Sequence, residues 1–364
     1  MNLIATIEPI SLFGLQIFTL LIGGFSLVFL LFCLGCALSD LLSKPKLRTR
    51  HLLTILVLSL SVIAQAQNSR AISASSYLER GNTWTAKGEY ENAIEDYSLG
   101  LAFEPNSAAL YANRGQARML KGELEVASKD FARALQLDSK IIEAWVSRSY
   151  LRYMQGDYDG SVNDATSAIK LNPRLPEPYH NRGLAYEAKG DYNSALTDYE
   201  AVLKLKPKVP ENWNCRGAMR YRLGDFSGAI ADQTQAIKLN SQFAGAWMDR
   251  GIVRLAQGDV AAALKDFDKA LELNPRSSVA WFNRAQAWKV KGEFTKALSD
   301  YDQAVAFNPK HADARAQRGI INLRMGNEAA AQTDFDECLR LDPALKTALE
   351  KLITQEKQEL KSKQ

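Results

Sequence analysis

The chain has 364 residues, of which 46% are hydrophobic and 24% are charged, and its formal net charge is +4. The positive excess is local, because four basic residues lie between positions 44 and 50, and after position 50 there are 41 basic residues against 39 acidic ones. A body so close to neutrality lacks the basic footprint of a nucleic-acid-binding protein. Four scattered cysteines give no disulfide framework.

The first predicted element is a transmembrane helix within residues 1–39. Residues 10–39 contain no charged side chain and are dominated by leucine, isoleucine, phenylalanine and valine. Because about 20 apolar residues cross the hydrocarbon core of a bilayer, this run is long enough to span it. Cys33 and Cys36 have the spacing of a redox or metal pair, but such pairs need a polar and accessible setting, which an apolar run does not offer.

Residues 40–51 form a basic loop, and residues 52–66 form a second apolar segment. Basic residues beside a span prefer the cytoplasmic side, which predicts that the loop is cytoplasmic. The basic residues of this loop are Lys44, Lys46, Arg48 and Arg50. The second segment ends in Ala64-Gln65-Ala66, so that a basic region, a short apolar run and an Ala-x-Ala end together look like a secretory signal with cleavage after Ala66.

These segments leave two topologies open. If the second segment inserts or is cleaved, everything after the linker at 67–73 lies outside the cytoplasm, in a periplasm or lumen, or is secreted. If it stays out of the membrane, the rest of the chain remains on the cytoplasmic face behind a single anchor. We favour the first arrangement. A signal-like segment this far into the chain also fits a true start downstream of Met1.

In residues 74–345, three residue types recur together every 34 positions. The arginines are Arg80, Arg114, Arg148, Arg182, Arg216, Arg250, Arg284 and Arg318. The aspartates are Asp96, Asp130, Asp164, Asp198, Asp232, Asp266, Asp300 and Asp334. The glycines are Gly88, Gly122, Gly156, Gly190, Gly224, Gly258, Gly292 and Gly326. A fixed period between about 20 and 50 residues indicates a solenoid of stacked repeats.

Within each unit, large aromatic residues alternate with small ones. The first unit has Tyr77, Gly81, Ala93 and Tyr97 in this order, and Pro105 closes it. Two antiparallel helices need small residues where their backbones approach, with aromatic rings filling the volume on either side. The glycine column suits a left-handed cap at the end of the first helix. Proline after the second helix prevents that helix from continuing into the next unit.

The pattern of columns resembles the tetratricopeptide repeat family over residues 74–345. It departs from that family at Ser139 and Ser241, which replace the closing proline, and at Arg315, which replaces the first aromatic residue. The resemblance implies an all-α fold, a right-handed superhelical solenoid of eight helix-turn-helix repeats behind the transmembrane helix. The repeats are predicted at 74–107, 108–141, 142–175, 176–209, 210–243, 244–277, 278–311 and 312–345.

After the last repeat, we predict a capping helix over 346–360 within a final segment, 346–364. Leu345, Leu349, Leu352 and Ile353 form an apolar stripe at helical spacing. A terminal repeat of a solenoid needs such a cover.

The arginine and aspartate columns predict a structural ladder of ion pairs. The tetratricopeptide pattern usually has an aliphatic residue where Arg80 and its equivalents stand. Asp96 lies at a similar height to Arg80 of its own repeat and to Arg114 of the next. The members that we assign to the ladder are Arg80, Asp96, Arg114, Asp130, Arg182, Asp198, Arg250 and Asp266. The alternative is that the arginines line a groove for acidic ligands, but one-for-one pairing would leave little charge for a ligand.

The resemblance also implies a concave groove, lined mostly by the first helix of each repeat, that binds peptides. The groove candidates by repeat register are Met119, Tyr150, Tyr153, Met154, His180, Asn214, Tyr221, Met248 and Phe282. Three asparagines before the arginine column are candidates for hydrogen bonds to a peptide backbone, and they are Asn113, Asn181 and Asn283. The competing interpretation is that the aromatic residues pack and the asparagines are solvated. Lysines of a carboxylate clamp are absent at Leu78, Ala112 and Val146.

The sequence therefore predicts a membrane-associated scaffold that binds a protein or peptide partner whose identity is open. The alternative is an accessory or substrate-recruiting subunit of a membrane enzyme or assembly complex. We expect no catalysis, no cofactor and no metal, because the chain has no phosphate-binding glycine loop, nucleophile elbow or zinc-binding helix motif. Its three histidines, His51, His180 and His311, are scattered.

Overall fold

The computed structural model describes residues 73–362, which fall into two compact units that divide after Tyr77. Of the first unit, residues 73–77 are described, and there the Ser73 backbone N–H donates to Ser76 Oγ at the start of a helix. The second unit begins at Leu78. The predicted transmembrane helix (1–39), basic loop (40–51) and signal-like segment (52–66) lie outside the described residues. Between residues 73 and 362, no helix has the length and apolarity that a membrane crossing requires.

The described chain is entirely helical apart from its turns. Its α-helices are α1 (Ala74–Ala86), α2 (Tyr90–Phe103), α3 (Ala108–Lys121), α4 (Leu124–Leu137), α5 (Ile142–Met154), α6 (Tyr158–Leu171), α7 (Pro176–Ala188), α8 (Tyr192–Leu205), α9 (Pro210–Arg222), α10 (Phe226–Leu239), α11 (Ala244–Ala256), α12 (Val260–Leu273), α13 (Ser278–Val290), α14 (Phe294–Phe307), α15 (Ala312–Arg324), α16 (Glu328–Leu341) and α17 (Lys346–Ser362). A short 3-10 helix, Pro343–Leu345, precedes α17. From α3 to α16, each helix packs against the next, so the all-α solenoid of helix pairs is confirmed. We call the odd-numbered helices α1 to α15 the first helices and the even-numbered α2 to α16 the second helices.

The glycine column ends the first helices. Its eight members have φ between +77° and +93°, a backbone conformation that only glycine adopts without strain. At Gly258, the backbone N–H of Asp259 then bonds back to the carbonyl of Arg254 at 2.9 Å, which closes the helix end. The Asp259 side chain accepts from the backbone N–H of Ala262 at 3.1 Å and so caps α12. One short turn therefore closes one helix and starts the next.

Small residues allow the two helices of a repeat to approach. The Ala263 side chain is fully buried, and a Cβ added to Gly251 would lie 2.7 Å from the ring of Phe267. The same close approach recurs between Gly319 and Phe335. In the repeats that carry a second aromatic residue, these contacts form a packed aromatic core, and neighbouring repeats stack on it.

The first aromatic residue of a repeat bonds to the end of the repeat before it. The Trp247 indole N–H donates to the carbonyl oxygen of Ser241 at 3.0 Å, and the Trp281 indole N–H donates to that of Pro275 at 2.8 Å. In the last repeat, Arg315 Nε donates to the carbonyl oxygen of Pro309 at 3.0 Å. The departure at Arg315 therefore keeps the hydrogen bond that the aromatic residue makes elsewhere.

α17 covers the last repeat. Leu349 is buried against the core of α15 and α16, and Leu352 and Ile353 pack beside it. Arg324 at the end of α15 forms an ion pair with both carboxylate oxygens of Glu356, whose side chain is buried. The helix therefore covers the last repeat through both an apolar contact and a buried ion pair.

Candidate interaction surface on the first helices

In the structure, each arginine of the column contacts the aspartate sixteen residues later, in its own repeat. All eight pairs are bidentate, with the two nitrogens Nε and Nη2 donating to the two carboxylate oxygens at 2.5–3.0 Å. The aspartates are buried. The planar fork of a guanidinium matches a carboxylate in this geometry, which a lysine could not reproduce.

In most repeats, the third guanidinium nitrogen of the arginine, Nη1, donates a hydrogen bond to the preceding repeat. In most repeats, the flat face of the guanidinium also lies against an aromatic ring. Arg250 Nη1 donates to Thr234 Oγ1 of the preceding repeat at 3.1 Å, and its guanidinium lies 4.8 Å from the ring centroid of Trp247. Arg284 has the same arrangement, with Asp268 in the preceding repeat and Trp281 under its face. These arginines hold repeats together, so the structure favours the ladder over a groove for acidic ligands.

Successive first helices are also joined directly. α5 packs against α7, and α9 packs against α11. Asn181 Nδ2 donates to the carbonyl oxygen of Val146 at 3.1 Å and to Ser149 Oγ at 2.9 Å. The Asn181 side chain is buried, and its amide nitrogen joins two repeats; that it binds a peptide backbone stays a prediction.

Three further groove candidates pack against the cores of their repeats. Met119 contacts the core around Phe131, Met248 contacts the core around Phe267, and Phe282 contacts Tyr301 with ring centroids 5.9 Å apart. All three are partly buried and contribute to packing, and their role as ligand contacts stays a prediction. Helical spacing alone cannot distinguish the two roles, because both faces of a first helix carry apolar residues.

Two of the three residues in the predicted aromatic and methionine cluster on α5 are exposed. Tyr150 and Met154 are 41% and 48% exposed, and the Tyr150 ring stacks on that of Tyr153 at 6.2 Å. Tyr153 is half-buried, and its ring also approaches Tyr158 of α6. Exposed aromatic and methionine side chains on a well-ordered helix are typical of protein-binding surfaces.

The other predicted residues are distributed along the same helices. His180 lies against the ring of Tyr199, and burial lowers the pKa of its imidazole. Tyr221 lies against Phe226 with ring centroids 5.7 Å apart, and Asn113 is half-buried on α3. Asn283 Nδ2 donates to the carbonyl oxygen of Val279 in its own helix at 2.9 Å.

A cavity of about 370 Å³ opens between the fourth and fifth repeats. Its lining residues are Pro176, Glu177, His180, Asn181, Val202, Lys206, Val209 and Asn212. His180 thus lies at the wall of a cavity, and its assignment to the groove stays a prediction. Asn181 and Asn212 both use their amide groups in bonds to the protein, so they shape this cavity more than they offer groups to a ligand.

The sequence analysis missed a group of acidic and thiol side chains that lie near Asn214 and Tyr199. Asn214 Nδ2 donates to Asp249 Oδ2 at 2.7 Å, and Tyr199 donates its hydroxyl to Glu187 Oε2 at 3.2 Å. Burial, and after it the negative charges of Glu187 and Asp249, raise the pKa of the Cys215 thiol to about 12. The column that precedes the arginines could have revealed Cys215 and Asp249, because both stand where Asn113, Asn181 and Asn283 stand in other repeats.

Family models match most of the region with this geometry. Tetratricopeptide repeat models match residues 108–141, 176–209, 219–278, 248–312 and 289–345, and a TPR repeat model matches 81–122 and 149–190. The chain belongs to the tetratricopeptide repeat family. A search of curated proteins found no match.

Solved structures with the same fold have low sequence identity to this chain. A chain of the APC/C hetero-tetramer Cut9–Hcn1 is 14% identical, with a TM-score of 0.57 over 77% of this chain and 55% of that one. A tetratricopeptide repeat protein from Parabacteroides merdae is 18% identical, with a TM-score of 0.55 over 73% of this chain and 98% of that one. Pseudomonas aeruginosa pilF is 19% identical, with a TM-score of 0.54 over 60% and 99%. At these identities the similarity shows the fold alone.

Proposed function

We propose that this tetratricopeptide repeat protein is a non-catalytic scaffold that binds a partner protein on the exposed side of its first helices. We call this side the first-helix surface, defined by Tyr150, Met154, Glu187, Glu211 and Asp249. The observation that carries the proposal is the exposure of Tyr150 and Met154 on an ordered helix, beside a row of polar groups on α7, α9 and α11. A rigid surface of this kind binds with little loss of conformational entropy.

We further propose that the repeats work beside a membrane, outside the cytoplasm. The support is the uncharged run at 10–39, the basic loop that follows it and the signal-like segment ending at Ala66. In this arrangement the scaffold gathers its partner at the membrane surface. The role of a substrate-recruiting subunit of a membrane complex is a special case of the same proposal, in which the partner is delivered to an enzyme.

Site-specific photo-crosslinking in cells tests where the partner binds. A photoreactive phenylalanine analogue replaces Tyr150 or Met154 in one pair of variants, and replaces Phe103 or Phe307 in a control pair. The control residues are exposed apolar residues at the ends of second helices. The proposal predicts the same discrete adduct from both first-helix positions and none from the controls. Adducts that form equally from all four positions, or from the controls alone, would contradict it.

Intact mass and protease accessibility test the membrane arrangement. A chain that starts near Gln67, or a full-length chain with repeats digested from the outside of intact cells, fits the proposed location. Full-length chain with repeats protected from external protease would place the scaffold on the cytoplasmic side.

A further inference from the structure

The cavity of about 370 Å³ between the fourth and fifth repeats lies where several residues depart from their columns. Val202 stands in a column that is otherwise glycine, alanine or cysteine, and Asn212 stands in one that is alanine in the last three repeats. Lys206 stands where the other seven repeats have asparagine, aspartate or glutamate. All three residues line the cavity. The departures therefore meet at one place, and they distinguish this junction from those between other repeats.

At two other junctions, the chain fills the corresponding space with an aromatic ring. Phe243, which precedes α11, packs against buried alanines of α10 and α11. These alanines stand in the columns of Val202 and Asn212, which line the cavity. His311, which precedes α15, lies against the ring of Phe282 with ring centroids 5.0 Å apart. The residue that precedes a first helix therefore supplies the ring that packs between two repeats.

The fourth repeat has the first ring of such a pair but lacks the second. His180 stands in the column of Phe282, and its ring centroid lies 5.8 Å from that of Tyr199, the same contact that Phe282 makes in its own repeat. Val209, which precedes α9, stands in the column of His311 but has an aliphatic side chain that is 36% exposed. His180 and Val209 both line the cavity. The cavity therefore lies where a second ring would pack against His180.

Two buried amides give the cavity hydrogen-bond acceptors. Asn181 and Asn212 are 7% and 8% exposed, and both line the cavity. Their amide nitrogens donate to the carbonyl oxygens of Val146 and Lys206, each at 3.1 Å. These bonds fix the orientation of both amides, because a carbonyl oxygen can only accept. No residue between 73 and 362 donates to Oδ1 of either amide, so these two oxygens are left for a donor on a ligand.

The mouth of the cavity carries one cation and one anion. Lys206 is exposed there, and Glu177 is exposed on the first turn of α7, where a carboxylate complements the helix dipole. Elsewhere in this chain an ammonium lies over an indole, with Lys296 Nζ 4.7 Å from the ring centroid of Trp288. The face of an aromatic ring attracts a cation, whereas an aliphatic side chain does not. Lys206 therefore favours an aromatic occupant.

We propose that this cavity binds one aromatic side chain, a tryptophan or tyrosine, of the partner held on the first-helix surface. Its ring packs against His180, and its ring N–H or O–H donates to Asn212 Oδ1, the acceptor that is peculiar to this junction. The inference rests on the proposed function and specifies the partner's chemistry. Tryptophan and tyrosine combine a large apolar area with a hydrogen-bond donor, and they carry much of the binding energy at protein interfaces.

The first 72 residues of this chain do not supply such a ring. All 6 tryptophans and all 13 tyrosines lie between residues 73 and 362. The amino-terminal segments therefore offer no ring-borne donor to the cavity, and the occupant comes from another molecule.

Fluorine NMR with a small probe tests this inference on the full-length protein in detergent micelles, with empty micelles as the blank. The probe is N-acetyl-5-fluorotryptophanamide, and the unlabelled N-acetyl amides of tryptophan, 1-methyltryptophan, tyrosine and leucine compete with it. The occlusion variant is Val209→Phe, which reproduces the residue found before α11. Its control is Ile141→Phe, the same change in the same column at a residue that packs against the core of the second repeat. A third variant, Asn212→Ala, restores the alanine of the last three repeats.

We expect the probe to bind the unchanged protein and the control variant with affinities within about twofold of each other, and Val209→Phe at least about tenfold more weakly because the new ring takes the place of the ligand. The amides of tryptophan and tyrosine should compete, and that of leucine should not. The 1-methyltryptophan amide should bind about fivefold more weakly than the tryptophan amide, because it lacks the ring donor. Asn212→Ala should remove most of that difference, a result that a change in stability alone cannot give. If Val209→Phe does not fold, judged by circular dichroism, the comparison of probes on Asn212→Ala still decides.

Three outcomes would overturn the inference. The first is equal probe affinity in Val209→Phe and the unchanged protein, and the second is competition by the leucine amide as strong as that by the tryptophan amide. The third is dimerisation of the unchanged protein that Val209→Phe abolishes, since a second copy of this chain would then be the occupant. Equal affinities of the methylated and unmethylated amides would overturn the assignment of a ring donor.

The same experiments separate this inference from the proposed function. Photo-crosslinks from Tyr150 without any binding of the probe would leave the scaffold intact and overturn only the aromatic site. Binding of the probe without crosslinks from Tyr150 or Met154 would contradict the proposed function.

Discussion

Removing one aspartate from the middle of the ladder should destabilise the protein strongly. Asp266 accepts from Arg250 Nε at 2.9 Å and Nη2 at 2.7 Å, and from Arg254 Nη1 at 2.7 Å, and it is 2% exposed. The change Asp266→Ala leaves the buried guanidinium of Arg250 without its carboxylate. Breaking a buried pair in this way costs about 3–5 kcal/mol. Because Arg250 keeps its contacts with Thr234 and Trp247, we expect about 3 kcal/mol.

The matched control is Asp302→Ala. Asp302 also contacts a ladder arginine, with Arg318 Nη1 at 2.9 Å, but its side chain is 54% exposed. Its removal should cost less than about 1 kcal/mol, the usual value for an exposed pair. Urea unfolding followed by circular dichroism gives both free energies. A double-mutant cycle with Arg250→Met should give a coupling energy above about 1 kcal/mol for the buried pair. Equal losses from Asp266→Ala and Asp302→Ala would refute the argument from burial.

Three further changes test other parts of the structure. Gly258→Ala should cost about 1–2 kcal/mol in thermal unfolding, because φ is +86° although a Cβ there meets no atom within 4 Å; an unchanged midpoint would contradict the left-handed cap. Cys215 should react with iodoacetamide at pH 8 about a thousandfold more slowly than a thiol of ordinary pKa 9.0, because a pKa of about 12 leaves little thiolate. The change Asp249→Asn should speed the reaction by removing one of the negative charges that raise this pKa. A rate like that of a free thiol would show that the pKa is not raised. Glu356→Gln should raise hydrogen exchange in α17 about tenfold by weakening the pair with Arg324, and unchanged protection would mean that apolar contacts alone hold the cap.

Much of the fold could be predicted from the sequence, because each column of recurring residues occupies the same structural position in every repeat. The glycine column marks a left-handed turn that only glycine adopts without strain, so it locates the end of every first helix. The arginine and aspartate columns stay in phase because each pair occupies the same place between two helices. Arg315 shows the limit of this reasoning. It departs from the aromatic column in the sequence, yet its side chain makes the same hydrogen bond to the end of the preceding repeat that the aromatic residue makes elsewhere.

The candidate surface follows from the sequence only in part. Register places Tyr150 and Met154 on the first-helix surface, but the same register includes Met119 and Phe282, which are partly buried against core clusters. Periodicity gives the face of a helix and not the depth of a side chain, which depends on how closely the next repeat stacks. Asn181 is an example, because α5 and α7 pack closely enough to bury its amide, which its place in the sequence did not indicate.

Asp249 illustrates a second limit. Its column is visible in the sequence, but its meaning depends on what lies opposite. The ladder aspartates face arginines, whereas Asp249 faces an amide and a thiol from the neighbouring repeat. Charge without a partner is a property of the three-dimensional arrangement, and a single column cannot report it.

The central claim, that the first helices bind the partner, is tested most directly by hydroxyl-radical footprinting with the crosslinked partner bound and unbound. Met154 and Met325 form a matched pair, because they are 48% and 43% exposed and oxidise by the same chemistry. Met154 lies on the first-helix surface, whereas Met325 lies in the turn after α15. The account predicts that the partner protects Met154 and leaves Met325 unchanged. Protection of Met325 alone, or of neither methionine, would contradict it.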